Sequence, residues 1–255
     1  MTRNLIDFQR RVITNNRLRS YLLKSISLIN TFKDIFPSRL TKTNFKVTKV
    51  HGLLRTGTNY LSAIVQNNFQ TIVCRPKEYG WKHGPLHYSP YVDYIILVKD
   101  PYSWFISFKK WEQIHNRTTS CSTADFILSP ISHKRFYSVW RAENPIDAWN
   151  KAMRSWISFK NRNNVYFLRY EDIIRDFYET MIRIENSFHY TRCSQNLSNI
   201  KKRVDTWRTP NPRDSLRLDY YLNEEYLLEY TETDFRTIRD KIDDETVFLL
   251  GYRVY

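Results

Sequence analysis

Cysteine is scarce: Cys74, Cys121 and Cys193 are the three in 255 residues, an odd number with no CxxC pair and no Cys/His metal spacing. That excludes a disulfide framework and a zinc finger, and it points to a reducing compartment. Long hydrophobic runs are missing too. No stretch approaches the roughly 18 apolar residues of a membrane span. Arg10, Arg11, Arg17, Arg19 and Lys24 break up the N-terminal segment, which therefore lacks the apolar centre of a secretory signal. The expectation is a cytoplasmic protein, and Asn116-Arg-Thr and Asn196-Leu-Ser read as chance glycosylation sequons. Internal repeats and low-complexity linkers are absent, as are an aromatic RNP signature and a concentrated Lys/Arg block. Nucleic acid is thus a disfavoured partner, even at a formal net charge of +14.

What is present is the composition of a folded domain, 42% hydrophobic and 16% aromatic, enough apolar surface to offset the entropy of ordering the chain. The basic balance favours anionic ligands: nucleotides, sulfated or phosphorylated sugars, anionic lipid. Residues about 5–36 place Leu5, Phe8, Val12, Leu18, Leu22, Ile26 and Phe32 among basic residues, the pattern of one or two amphipathic helices ending at Pro37. Such helices pack on a core or touch a membrane surface as a peripheral anchor. Residues 1–40 are therefore set apart as a basic helical extension, and 41–255 as the main domain.

Along the main domain strands and helices alternate. Phe45–Val50 predicts a strand, Tyr60–Phe69 a helix, and Thr71–Cys74 a short strand. The continuous apolar run Tyr94–Val98 is that of a strand covered on both faces. A helix follows Pro101, another spans Pro145–Asn161, Val165–Leu168 is a strand, and Glu171–Phe188 a helix. The tail reads as helical over Leu197–Val204 and Glu224–Ile242, and Trp104, Trp111, Trp149 and Trp156 read as core. Alternation of this kind predicts an α/β fold with a central parallel sheet flanked by helices.

Between the first strand and first helix lies His51-Gly-Leu-Leu-Arg-Thr-Gly-Thr-Asn59, with the two-glycine spacing of a phosphate loop. Backbone N–H groups and the positive end of a helix would face an anion there. The lysine that follows the second glycine in a nucleoside-triphosphatase loop is missing, however. Thr58 and Asn59 stand in its place, and the loop's cation is Arg55.

Arg55-Thr56-Gly57-Thr58-Asn59 resembles the 5′-phosphosulfate loop of sulfotransferases that use 3′-phosphoadenosine 5′-phosphosulfate (PAPS). Three further stretches, in order, extend the resemblance over residues about 45–252. Lys99-Asp-Pro101 with Ser107 matches the family's 3′-phosphate segment, with Lys99 standing where arginine is usual and offering a point charge in place of a planar fork. Arg169-Tyr-Glu-Asp172 matches a strand end whose tyrosine, here Tyr170, often lies near the adenine, and Leu250-Gly-Tyr252 matches a C-terminal signature.

The resemblance implies a P-loop NTPase-like three-layer fold that binds PAPS through Arg55, Thr56, Gly57, Thr58, Asn59, Lys99, Ser107 and Tyr170, and works without a metal. Arg55 would stabilise charge on the transferred group. His83, on the loop after the second strand, would be the catalytic base, with His87 and Glu78 as competitors and Lys82 as a further cation. The expected acceptor is a hydroxyl or amine on a carbohydrate or glycolipid. From the residues alone, two alternatives stay open: a P-loop kinase or NTPase, and a non-catalytic binder of nucleic acid or anionic glycan on a degenerate P-loop fold.

Overall fold

A computed structural model describes Ser20 and residues 46–115, 117–118, 121–200, 202–206, 209–215 and 218–255. The helices expected over residues about 5–36, and the membrane contact expected of them, lie outside the described residues apart from Ser20.

Strand β1 (Lys46–His51) is followed by helix α1 (Thr58–Asn68), β2 (Thr71–Val73), β3 (Asp93–Val98) and α2 (Pro101–Ile114). After them come α3 (Thr123–Leu128), α4 (Lys134–Trp140), α5 (Pro145–Ile157), β4 (Val165–Arg169), α6 (Tyr170–Arg175) and α7 (Phe177–Phe188). The four strands form one parallel sheet in the order β2-β1-β3-β4. The period-2 alternation of the strands divides the core. Tyr94, Ile96 and Val98 of β3 join a cluster with Trp104, Phe108, Trp149 and Trp156, while Ile95 and Leu97 join Ile64, Ile173 and Met181 on the other face. Both faces are covered by helices, which is why β3 reads as an unbroken apolar run.

Pro101 sits in the first turn of α2, and the Asp100 side chain caps that helix, its Oδ1 accepting the Ser103 N–H at 3.1 Å. Because β2 lies on one side of β1 and β3 on the other, the chain reverses direction of winding between β1 and β3. In open α/β sheets ligands bind outside the carboxyl ends of such strands. The loop at Gly52 and the residue Lys99 leave those two neighbouring ends.

Several expected elements differ. The helix expected over Glu171–Phe188 is two, α6 and α7, because Asp176 takes φ −140° and its side chain caps α7 by accepting the Glu179 N–H at 3.0 Å. The helix expected over Leu197–Val204 is not there. Residues 197–200 are irregular, and β5 (Lys202–Thr206) pairs antiparallel with β6 (Thr209–Ser215). Pro210 and Pro212 lack the N–H groups a helix needs and suit an edge hairpin. Helices α3 and α4 were too short for periodicity to signal. The C-terminal helix expected over Glu224–Ile242 is a 3-10 turn (Glu225–Glu229) and α9 (Glu232–Arg239), with α8 (Leu218–Leu222) before them and α10 (Asp244–Leu249) after. The three cysteines are free, and no described helix is long and apolar enough to cross a membrane.

Candidate active site

The turn after β1 is built around its glycines. A Cβ on Gly52 would come within 2.5 Å of the Leu97 carbonyl oxygen and 2.7 Å of Thr56 Oγ1. Gly57 is the N-cap of α1 with φ 92°, where a Cβ would also strike the Tyr170 ring at 2.9 Å. Arg55 holds φ 69°, a left-handed conformation that costs a non-glycine residue free energy and marks a functional turn. Thr56 and Thr58 are buried. The Thr56 hydroxyl donates to the Leu53 carbonyl at 2.8 Å, and the Trp104 indole donates to the Leu54 carbonyl at 2.6 Å, so the turn is fastened from inside and from α2. No side chain caps α1. The turn leads into the positive end of an eleven-residue helix, the arrangement that receives an anion.

The lysine absent from the loop's sequence is supplied in space. Lys82, on the segment after β2, is buried, and its ammonium donates to Asn59 Oδ1 at 2.5 Å in the first turn of α1. Burial, and secondarily the Lys49 charge, lowers its pKa to about 8, so near neutral pH it carries charge in a place where charge is poorly solvated. An anion there would relieve that cost.

His83 is the next residue. Its Nδ1 lies 2.6 Å from the Gly52 carbonyl, which can only accept, so Nδ1 carries the proton and Nε2 the lone pair. Burial and the Lys82 charge hold the ring well below the usual histidine pKa, in the neutral form that a general base needs. Its carbonyl accepts the Trp140 indole at 2.8 Å, and Trp81 packs edge-on to its ring at 5.3 Å. His87, one of the competing bases, is exposed, and the Gly80 backbone approaches its ring. Glu78 instead accepts the Arg75 N–H at 2.7 Å.

At the end of β3, Lys99 is buried, with its ammonium 4.4 Å from the Tyr221 ring centre and 5.2 Å from that of Tyr170. It donates to the Tyr221 hydroxyl at 3.3 Å. Tyr170 is enclosed by Gly57, Tyr221 and Lys99, and the Arg55 charge acts on its phenol. One ring thus joins the phosphate turn to the Lys99 end of the site. Ser107 lies farther along α2, half-buried. Sequence reading missed Tyr221: an aromatic in a polar tail carries no motif, and only the fold brings it to Lys99. Trp104, Trp149 and Trp156 are buried in the core as expected, and Trp111 packs against its edge, half-buried, 5.6 Å from the His133 ring and covered by the Arg117 guanidinium at 4.6 Å. A separate cavity of about 690 Å³, lined by Phe108, Glu112, Arg117 and Ile131 among others, includes none of these loop residues.

The family model described as "Sulfotransferase domain" matches residues 83–205, which include His83, Lys99, Ser107 and Tyr170 but begin after the Gly52–Asn59 turn. Among solved structures, the chain is similar to a mouse sulfotransferase, SULT7A1, complexed with PAP. They share 14% identity over 81% of this chain and 89% of that one, with a TM-score of 0.50. It is also similar to retinol dehydratase in complex with androsterone and the inactive cofactor PAP, at 14% identity over 80% and 78% of the two chains and a TM-score of 0.40. The first of these likenesses shows the fold. No curated protein matches by sequence.

Proposed function

We propose that this chain, whose residues 83–205 match the sulfotransferase-domain family model, moves a sulfuryl group from PAPS to a hydroxyl or amine, with a carbohydrate or glycolipid as the acceptor class. The observation that carries the reading is the convergence of Arg55, the open end of α1 and Lys82 at one end of the site, with Lys99 at the other and Tyr170 touching both halves. The residues suit a nucleotide anionic at both ends: the Gly52 and Gly57 turn leaves no room for side chains against its neighbours, and its charges come from lysine and arginine.

PAPS supplies the sulfuryl group and leaves as the anion PAP. In this reading the N–H groups of Thr58 and Asn59, with Arg55 and Lys82, bind the sulfonated end and stabilise the charge that grows on the departing oxygen. Lys99 and Ser107 bind the ribose phosphate, and Tyr170 shapes the floor between. His83 Nε2 accepts the acceptor's proton, while the bond from Nδ1 to the Gly52 carbonyl keeps the ring in the useful tautomer. The carbohydrate preference rests on Trp81, partly exposed beside His83, on Trp111, which meets Trp81 through the His133 ring between them, and on the basic surface.

A thermal-shift series with PAP, PAPS, ATP and ATP plus magnesium tests the reading. Stabilisation by PAP and PAPS without magnesium is expected, at about 2.7 kcal/mol when the nucleotide is at 100 times its Kd. Loss of that stabilisation in Arg55→Ala is expected as well. A shift confined to ATP with magnesium would replace this reading with that of a kinase or NTPase.

A further inference from the structure

Lys49 points from β1 into the protein interior, where burying an ammonium is costly unless other groups replace its water. Here backbone carbonyls do so: the ammonium donates to Arg75 at 3.0 Å, Pro76 at 3.3 Å, Glu78 at 2.6 Å and Gly80 at 3.0 Å. Three protons are shared among four oxygens, and all four belong to one short stretch. That stretch reverses sharply through Tyr79 and Gly80, both left-handed with φ 51° and 86°, so its carbonyls turn inward around a single cation.

The segment that carries Lys82 and His83 leaves directly from this cage. The Lys82 N–H donates back to the Pro76 carbonyl at 2.9 Å, and the Gly52 N–H donates to the Lys82 carbonyl at 3.0 Å. The Gly84 carbonyl accepts His51 Nε2 at 2.6 Å and the Trp156 indole at 3.2 Å. The far end of the segment is therefore held by His51, Trp140 and Trp156, and at the near end the Lys49 ammonium adds four bonds to the local ones from Glu78 N–H to the Arg75 carbonyl and from Arg75 N–H to Glu78 Oε2.

We propose that Lys49 is a positioning residue: its ammonium gathers the carbonyls of Arg75–Gly80 and thereby seats Lys82 against Asn59 and His83 against Gly52. Lys49 does not itself reach either contact. The inference rests on the sulfotransferase reading for the roles of Lys82 and His83, and on the hydrogen bonds alone for the positioning.

Lys49→Met keeps much of the side-chain length and removes the cation, so two readouts decide. In spectra of histidine-labelled protein, the hydrogen-bonded His83 Nδ1–H resonance should be lost or displaced. PAP affinity should fall about tenfold or more, as expected for a lost contact to a charged group. Binding of adenosine 3′-monophosphate, which lacks the 5′ group, should stay unchanged. A folded Lys49→Met with an unaltered His83 resonance and unaltered PAP affinity would overturn the inference.

Should Lys49→Met fail to fold, Lys49→Ala is compared in methylammonium chloride and in sodium chloride. Recovery of folding or of the His83 resonance in methylammonium alone supports the cage, and identical behaviour in the two salts overturns it. If the wild-type protein binds neither nucleotide, the proposed function fails and the His83 resonance alone decides the role of Lys49.

Discussion

The Gly52 carbonyl accepts the Nδ1–H of His83 at 2.6 Å, so the phosphate turn itself fixes the tautomer of the candidate base. Replacing His83 with glutamine should lower the transfer rate by about 100- to 10,000-fold while PAP binding persists. The wild-type pH profile is set by the lowered pKa of His83 on the acid side and, on the alkaline side, by those of Lys82 and of Lys49, which burial also lowers to about 8. Burial and Lys82 hold His83 well below its usual value, so the base is already unprotonated at neutral pH and the acid limb should fall well below pH 6.5. Lys82 titrates at about 8 in the free protein, so PAP affinity should decline as pH rises through that value and the cation is lost. Lys82→Met should bind PAP weakly and with a shallower alkaline decline, the remainder coming from Lys49. Calorimetric titrations across pH, with rates in parallel, test both limbs.

Lys99 stands where the resembling family usually has arginine, and it lies over Tyr221 and Tyr170, with its charge also acting on the buried Glu171 carboxyl. If it binds the 3′-phosphate, Lys99→Ala should weaken PAP about 10- to 100-fold, the range of a lost hydrogen bond to a charged group. Binding of adenosine 5′-monophosphate, which lacks that phosphate, should change little. Equal losses for both nucleotides would assign Lys99 to packing.

The strands and the glycine turn were legible in the sequence because each is set by local rules. Tyr94–Val98 is apolar at every position since both faces of β3 are covered, and Gly52 and Gly57 stand where the backbone leaves no room for a side chain. What could not be read arises from distant segments. Lys82 lies 23 residues from Asn59 and Tyr221 lies 122 from Lys99, so neither contact has a spacing that a motif could display. The hairpin of β5 and β6 escaped for a related reason, because pairing with a partner strand outweighed the weak helical pattern of Leu197–Val204.

Gly52 gives a test of the turn that does not depend on any ligand. Its added Cβ in Gly52→Ala would meet the Leu97 carbonyl oxygen at 2.5 Å, backbone of the central strand that cannot swing away. A loss of about 1–3 kcal/mol is expected, as for other overpacked sites. Denaturant unfolding measures it. Arg55→Gly removes a strained φ of 69° from the same turn and should leave stability equal or higher while PAP binding falls.

Asp100 and Glu171 are both buried at the start of α2, where the Asp100 N–H donates to Glu171 Oε1 at 3.2 Å and Glu171 Oε2 accepts the Tyr252 hydroxyl at 2.8 Å. Burial first, and then the neighbouring Glu171 charge, push Asp100 up to about 8. Its folded pKa thus lies above the value near 3.9 expected in the unfolded chain. Between those two values the unfolded chain has released the proton and the folded protein keeps it, so stability falls as pH rises, by at most about 1.4 kcal/mol per pH unit for one proton. Asn in place of Asp100 still accepts the Ser103 N–H and has nothing to ionise. Asp100→Asn should therefore flatten the fall in melting temperature between about pH 5 and pH 8 and be the more stable protein at the alkaline end. If both proteins lose stability in parallel across that range, Asp100 is ionised in the fold and its carboxylate has a stabilising partner at this helix start.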